Sequence, residues 1–321
     1  MIGYQISHEQ FTPSELLRYA VLAEQAGFQA LLSSDHFNPW SERQGQSGFA
    51  FSWLGAAMQA TKLPCGIVCA PGQRYHPAVV AQAAATLAEL FEGRFWMTLG
   101  SGEALNEHIT GGKWPLKGER NARLKECFDI ITALFAGKTV THSGHVVVHE
   151  AKLYTRPKVA PALFGAALSE STAEWMGSWA GGLVTIYRPE DKLKKIIEAF
   201  HKGGGAGKPM YLQMQVSYAR TEQEALDGAF DQWRTNILPP EVLADLSRPE
   251  QFDAAAQFIR PEDLKNEMLI STDPQDLIRQ IQHCVELGFE TIILHNVNRQ
   301  QEQFIQDFGQ HVLPFLKFKT V

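Results

Sequence analysis

The sequence predicts an α/β protein, a closed (β/α)8 TIM barrel with insertions after strands two and four and before the last strand. Eight short apolar runs recur along the chain, each followed by a helical pattern, which is the signature of βα units feeding a parallel sheet. Several runs are apolar almost throughout, as strands covered on both faces are. The first βα turn, Ser7-His8-Glu9-Gln10-Phe11-Thr12, lacks the glycine fingerprint that an open, doubly wound dinucleotide-binding sheet would carry there. A chain of 321 residues is within the range of one such barrel, so residues 1–321 are read as a single domain.

The elements follow in order. The first strand is read at 2–7 (IGYQIS), and the first helix opens on Thr12-Pro13-Ser14-Glu15, an N-cap, a proline at the first helical position and a glutamate two residues later, ending at Gly27. Further strands are read at 29–34, 64–70, 94–99, 162–168, 182–187, 209–217 and 290–295. Helices are read at 77–91, 118–136, 171–180, 189–202, 221–234, 274–287 and 300–312, with Gly93, Gly137 and Gly288 as stop signals. Residues 37–51, 101–117 and 235–268 exceed a minimal barrel, and the first two follow strand ends, where a barrel places its active site. The stretch 139–159 carries a strand-like run on each side of Ser143-Gly144 and reads as a β-hairpin.

Composition narrows the function. With 45% hydrophobic and 20% charged residues the chain can bury a sizeable core. Its net charge of −6 carries no basic stripe for a phosphate backbone to follow, which argues against a nucleic-acid partner. The start lacks a signal-peptide pattern and no run of about 18 apolar residues occurs, so neither secretion nor a membrane span is expected. Cys65, Cys69, Cys127 and Cys284 read as buried thiols of a reducing compartment, with the cytoplasm as the default.

Three strand ends carry candidate chemistry. Asp35 and His36 follow strand two, where a neutral imidazole could act as general acid or base with a carboxylate setting its tautomer; the alternative is a hydrogen-bonded loop histidine. After strand four, Gly100-Ser101-Gly102-Glu103 lets the backbone approach a ligand and offers a carboxyl, or else Glu103 is simply an acidic residue at a helix start. Glu9, at the end of strand one, is similarly placed. Gly203-Gly204-Gly205-Ala206-Gly207-Lys208 follows a helix rather than a strand, so it reads as an αβ turn and not a phosphate loop. His142, His145 and His149 resemble a metal cluster, but strand spacing puts the first opposite the other two, and no metal site is expected.

Ser34-Asp35-His36-Phe37-Asn38-Pro39-Trp40, together with Gly100-Ser101-Gly102-Glu103-Ala104-Leu105-Asn106-Glu107, resembles the luciferase-like flavin and deazaflavin oxidoreductases, in particular their F420-dependent glucose-6-phosphate dehydrogenase branch. The likeness extends through Gly3-Tyr4, Glu9-Gln10-Phe11, Arg74-Tyr75-His76-Pro77-Ala78-Val79 and Trp114-Pro115 to Thr272-Asp273-Pro274. It implies a barrel holding an isoalloxazine-type ring at its C-terminal mouth, with hydride passing between the ring and a small-molecule substrate. By that resemblance His36 is the general base or stabiliser of the reduced ring, Glu103 its acidic partner, Trp40 the wall beside the reacting centre and Glu9 a further polar group. The resemblance further implies that Asp35, Ser101, Gly102 and Asn106 would contact the cofactor and that a cis peptide at Ile67-Val68 would lie behind the ring.

Two departures qualify the likeness. Leu168-Ser169 stands where the deazaflavin branch has a glycine pair, leaving Ser169, Ser171 and Thr172 to hold a phosphate at a helix start. Lys265-Asn266-Glu267 lacks the arginine expected of sugar-phosphate binders, which argues against glucose 6-phosphate. The cofactor is therefore FMN or F420, and a homodimer is implied. The alternatives are an FMN-dependent monooxygenase that activates O2, a non-catalytic flavin-binding protein, and a glycoside hydrolase using Glu9 and Glu103, whose carboxyls would then lie about 5 to 10 Å apart.

Overall fold

The computed structural model describes residues 1–317. Its strands are β1 (Ile2–Ile6), β2 (Ala30–Ser34), β3 (Cys65–Cys69), β4 (Phe95–Leu99), β5 (Val140–Ser143), β6 (Val147–Ala151), β7 (Ala162–Ala166), β8 (Leu183–Ile186), β9 (Met210–Tyr218), β10 (Leu269–Ser271) and β11 (Thr291–Asn296). Parallel pairing runs β1-β2-β3-β4-β7-β8-β9-β11 and back to β1, which closes a (β/α)8 barrel. The helices are α1 (Pro13–Ala26), α2 (Ala50–Ala60), α3 (Pro77–Leu90), α4 (Ala104–Glu107), α5 (Lys117–Phe135), α6 (Glu170–Gly177), α7 (Glu190–Phe200), α8 (Glu222–Trp233), α9 (Pro240–Asp245), α10 (Pro249–Ala255), α11 (Pro261–Leu264), α12 (Pro274–Glu286) and α13 (Gln301–His311).

Alternation along each strand sorts the core into two layers. Ala30, Leu32, Trp96, Phe164, Val184 and Ile293 point inward and fill the barrel. Ile67, Cys65, Cys69, Met97, Leu212 and Met214 point outward and join the apolar faces of the helices. Gly66 is what lets the Trp96 indole lie across the barrel, since a Cβ there would overlap the ring. The first helix is entered through a complete capping box: Thr12 Oγ1 accepts from Glu15 N at 3.3 Å, and Glu15 Oε2 accepts from Thr12 N at 2.9 Å. Gly27, with φ of 100°, closes it in the left-handed region where glycine alone is unstrained.

The predicted hairpin forms as antiparallel β5 and β6. The glycine-rich stretch after α7 is a tight turn with Gly204 at φ 101°, leading into β9. Several elements depart from the reading of the sequence: α4 and α9 to α11 are short helices within stretches read as insertions. Residues 50–60 form α2, which no sequence pattern announces, because AFSWLGAAMQA is apolar on nearly every face and has no side-chain N-cap. Short β10 falls between the insertion read at 235–268 and the helix read at 274–287, and adds to β9 outside the barrel. All four cysteines are free and buried, and burial pushes the thiols of Cys65, Cys127 and Cys284 up to about 12. No helix among the described residues is long and apolar enough to cross a membrane.

Candidate active site

Parallel strands deliver the residues that follow them to one rim, and here β1, β2 and β4 deliver Glu9, His36 and Glu103. They meet: His36 Nδ1 lies 2.6 Å from Glu9 Oε1, and His36 Nε2 lies 3.9 Å from Glu103 Oε2. The Trp40 indole stands edge-on to the imidazole, with ring centroids 5.4 Å apart. Ser7 Oγ donates to the other oxygen of Glu9 at 2.8 Å, and Ser47 Oγ donates to the His36 carbonyl at 2.7 Å.

The charges follow from this arrangement. Burial alone would raise the Glu9 carboxyl and lower the His36 imidazole. Their contact reverses both: the imidazole and its hydrogen bonds hold Glu9 well below the usual carboxylate range, while Glu9 and then Glu103 hold His36 above its ordinary value. Glu103 moves the other way, because burial raises its carboxyl more than His36 lowers it. Two further buried histidines flank Glu9. His8 is 2.6 Å from Ser33 Oγ and His295 packs edge-on to Trp233, and burial pulls each down to about 4, so both are neutral at physiological pH.

The other predicted site residues take different positions. Asp35 is turned away from the rim, its carboxylate fully enclosed between the Arg74 guanidinium (3.1 Å) and the Tyr75 hydroxyl (3.1 Å). Asn106 is also committed: its Oδ1 accepts from Phe37 N at 2.8 Å and Asn38 N at 3.3 Å, tying the loop after β2 to α4. Both side chains brace the loops around the site, and Asn106 Nδ2 also lies 3.5 Å from Glu103 Oε2. Ile67 points outward into the helix layer, so its side chain cannot reach a ring in the mouth. The cis peptide expected at Ile67-Val68 is absent, as it is from all the described residues, because β3 stays in unbroken register with β2 and β4 through both positions. Val68 itself faces the barrel interior. Ser101 and Gly102 (φ 81°) are half-buried beside Ala70. Ser169 caps α6, its Oγ accepting from Thr172 N at 3.4 Å and lying 2.9 Å from Thr172 Oγ1. No group of three or more metal-ligating side chains occurs among the described residues; His142 instead lies 2.9 Å from Glu126.

Small side chains line one wall of the rim. Along β3, β4 and β7 the inner wall near the rim is made of Val68, Thr98, Gly100 and Ala166, and a Cβ at Gly100 would meet nothing nearer than Ala166 at 3.8 Å. Thr98 Oγ1 is buried there without a hydrogen-bond partner. Residues 235–268 cover the opposite side, with Phe252 of α10 edge-on to Trp40 at 5.3 Å and packed with Leu105. Arg74, Tyr75, Glu107 and Phe252 were not singled out as site residues, because their importance lies in contacts between distant segments, which carry no periodic signal.

Comparison with known proteins agrees with this geometry. A family model described as luciferase-like monooxygenase matches residues 2–291. An F420-dependent glucose-6-phosphate dehydrogenase of Beutenbergia cavernae is 35% identical, covering 98% of this chain and 97% of the relative. One of Microbacterium testaceum is 34% identical over the same shares. Among solved structures, an F420-dependent secondary alcohol dehydrogenase in complex with an F420-acetone adduct superposes with a TM-score of 0.91 at 28% identity, covering 97% of this chain and 98% of that one. The chain belongs to the luciferase-like monooxygenase family.

Proposed function

We propose that this protein is an F420- or FMN-dependent oxidoreductase that transfers a hydride between the ring and a small organic substrate, with His36 and Glu103 handling the proton. The observation that carries the reading is the imidazole held between two carboxylates at the rim. The relatives' dependence on F420 and the small-residue wall on β3, β4 and β7 support the cofactor. Val68, Thr98, Ser101 and Gly102 would line the ring, and the hydroxyls of Ser169, Ser171 and Thr172 at the α6 N-terminus would meet a phosphate of its tail. When bound, the ring supplies the hydride acceptor or donor, C5 in a deazaflavin and N5 in a flavin.

The rest is done by the chain's own groups. Nδ1 of His36 is committed to Glu9, so Nε2 is the nitrogen left to exchange a proton with a substrate hydroxyl or carbonyl. Glu9 stabilises the charged imidazole, as a buried carboxylate beneath a catalytic histidine does. Glu103, with its raised carboxyl, can hold a proton in the range where a neighbouring group needs one. Trp40 and the covering Phe252 keep water from the imidazole. Because His36 stands between the two carboxylates and faces both, the arrangement favours hydride chemistry over a glycosidase pair. The buried, free thiols support a cytoplasmic setting, and the exposed Phe49, beside Phe51 and Tyr75, supports a homodimer.

Titration of the purified protein with F420 and with FMN, followed by ring absorbance and fluorescence, is expected to show stoichiometric binding of one of them. His36→Ala is expected to keep that binding and lose turnover by about 10²–10⁴-fold, the usual contribution of a positioned acid or base. Unaltered turnover removes His36 from the mechanism. Incorporation of isotopic oxygen into product would replace hydride transfer by the monooxygenase alternative.

A further inference from the structure

We propose that Arg74 is a positioning residue of this site: one buried guanidinium ties the exit loops of β2, β3 and β4 together and thereby sets His36 against Glu103. The inference rests on the function proposed above, but its geometry is independent of any cofactor.

Arg74 lies in the loop after β3, and its side chain is 6% exposed. Its Nη2 donates to the Asp35 carbonyl at 2.8 Å and to Asp35 Oδ2 at 3.1 Å. That carbonyl belongs to the peptide bond leading directly into His36, so the guanidinium holds the backbone from which the imidazole projects. On its other side, Arg74 Nε faces Glu107 Oε1 at 3.6 Å, and the Arg74 backbone N–H donates to Glu107 Oε2 at 2.6 Å. Glu107 ends α4, whose N-cap residue is Glu103: the amides of Asn106 and Glu107 both donate to the Glu103 carbonyl, at 3.1 and 3.2 Å. Fixing Glu107 therefore fixes Glu103. Tyr75 completes the unit, with its hydroxyl on Asp35 and its ring under the guanidinium at 4.3 Å.

Only an arginine can do this. The planar fork presents donors in two directions at once, whereas a lysine offers one compact ammonium that can reach Asp35 or Glu107 but not both. The side chains of Asp35 and Glu107 are 0% and 2% exposed, so neither has water as a substitute partner. Beyond the last β2–β3 and β3–β4 pairs, Ser34 with Val68 and Cys69 with Leu99, the three loops leave the regular ladder, and the Arg74 bridge joins the Gly100–Cys69 backbone bond and the Asn106 contacts in holding them together.

The test uses Arg74→Lys, Glu107→Gln and the double variant, each read in two ways. First, the His36 imidazole is titrated by NMR in the ring-free protein, its resonance assigned with His36→Asn. The groups that face it are Glu9, His8, Glu103, Asp35 and Arg74. Because lysine keeps the positive charge at position 74, the expected result is a downward move of the His36 titration as its alignment with Glu9 and Glu103 loosens, with the thermal midpoint changed by only a few degrees. Second, turnover is measured with F420 and two probes, propan-2-ol and glucose 6-phosphate. On whichever probe the wild type uses, kcat is expected to fall about 10- to 100-fold with ring affinity nearly kept, and the double variant to be no worse than the poorer single one, since both mutations cut the same bridge. An unchanged His36 titration in folded Arg74→Lys overturns the proposal, as does a loss of kcat that merely tracks the fraction unfolded. If Arg74→Lys does not fold, Glu107→Gln with wild-type kcat and an unmoved His36 titration overturns it. A wild type inactive on both probes and unable to bind F420 or FMN counts against the proposed function alone, and the NMR result still decides the role of Arg74.

Discussion

Glu9 and His36 show how much a single contact changes what a side chain can do. Isolated in the same burial, the carboxyl would rise and the imidazole would fall; in contact at 2.6 Å they form an ion pair. Glu9→Gln removes the largest partner that raises His36, so the imidazole titration is expected to move down, and with it the pH limb of kcat/KM that reports the free enzyme. An unchanged limb would assign that titration to another group. At this scale the sequence was readable where a motif places a residue at a strand end, as with Glu9, His36 and Glu103. Orientation is not legible in a motif: Asp35 and Asn106 belong to the same motifs, yet the Asp35 carboxylate meets Arg74 and Tyr75, and the Asn106 amide meets the backbone of Phe37 and Asn38 and the Glu103 carboxyl.

The barrel strands were legible as elements because burial on both faces makes each a short apolar run bounded by polar residues. The α2 helix was not, because a helix that is apolar nearly all round has no stripe to detect. The covering segment 235–268 is the least legible part, being built of short helices, α9 to α11, that gain their stability from what they touch. Its Phe252, Leu243 and Leu246 form a small cluster with Trp40 and Leu105, separate from the main core. Phe252→Ala should therefore cost the cover about 3–5 kcal/mol while leaving the barrel folded. Hydrogen exchange is expected to rise sharply over residues 240–256, with KM for substrate increased. Uniformly raised exchange across the barrel strands would show that the cover and barrel unfold as one unit.

Across the whole molecule, stability against pH follows from the same buried histidines. His8 and His295 titrate at about 4 in the folded protein, below the ordinary value of 6.5, so the unfolded chain takes up protons first as pH falls. Their contribution is complete above pH about 6.5 and is lost on the way down to about 4, each shift being worth on the order of 3 kcal/mol. His36, raised instead, contributes fully below 6.5 and loses its share only as pH rises through its folded value. The thermal midpoint is thus expected to fall between pH 6.5 and 4, and His295→Asn to flatten that fall; a midpoint constant over the interval would mean that the two imidazoles are not held neutral.

The closure of the barrel was legible from eight alternating units, but the plug in its lower half was not, because it depends on Trp96 lying over Gly66, a match between neighbouring strands that no local pattern announces. A floor of that kind leaves the barrel interior no throughway: a ligand seated at the rim over His36 would rest on packed side chains and would have to leave by the side from which it came.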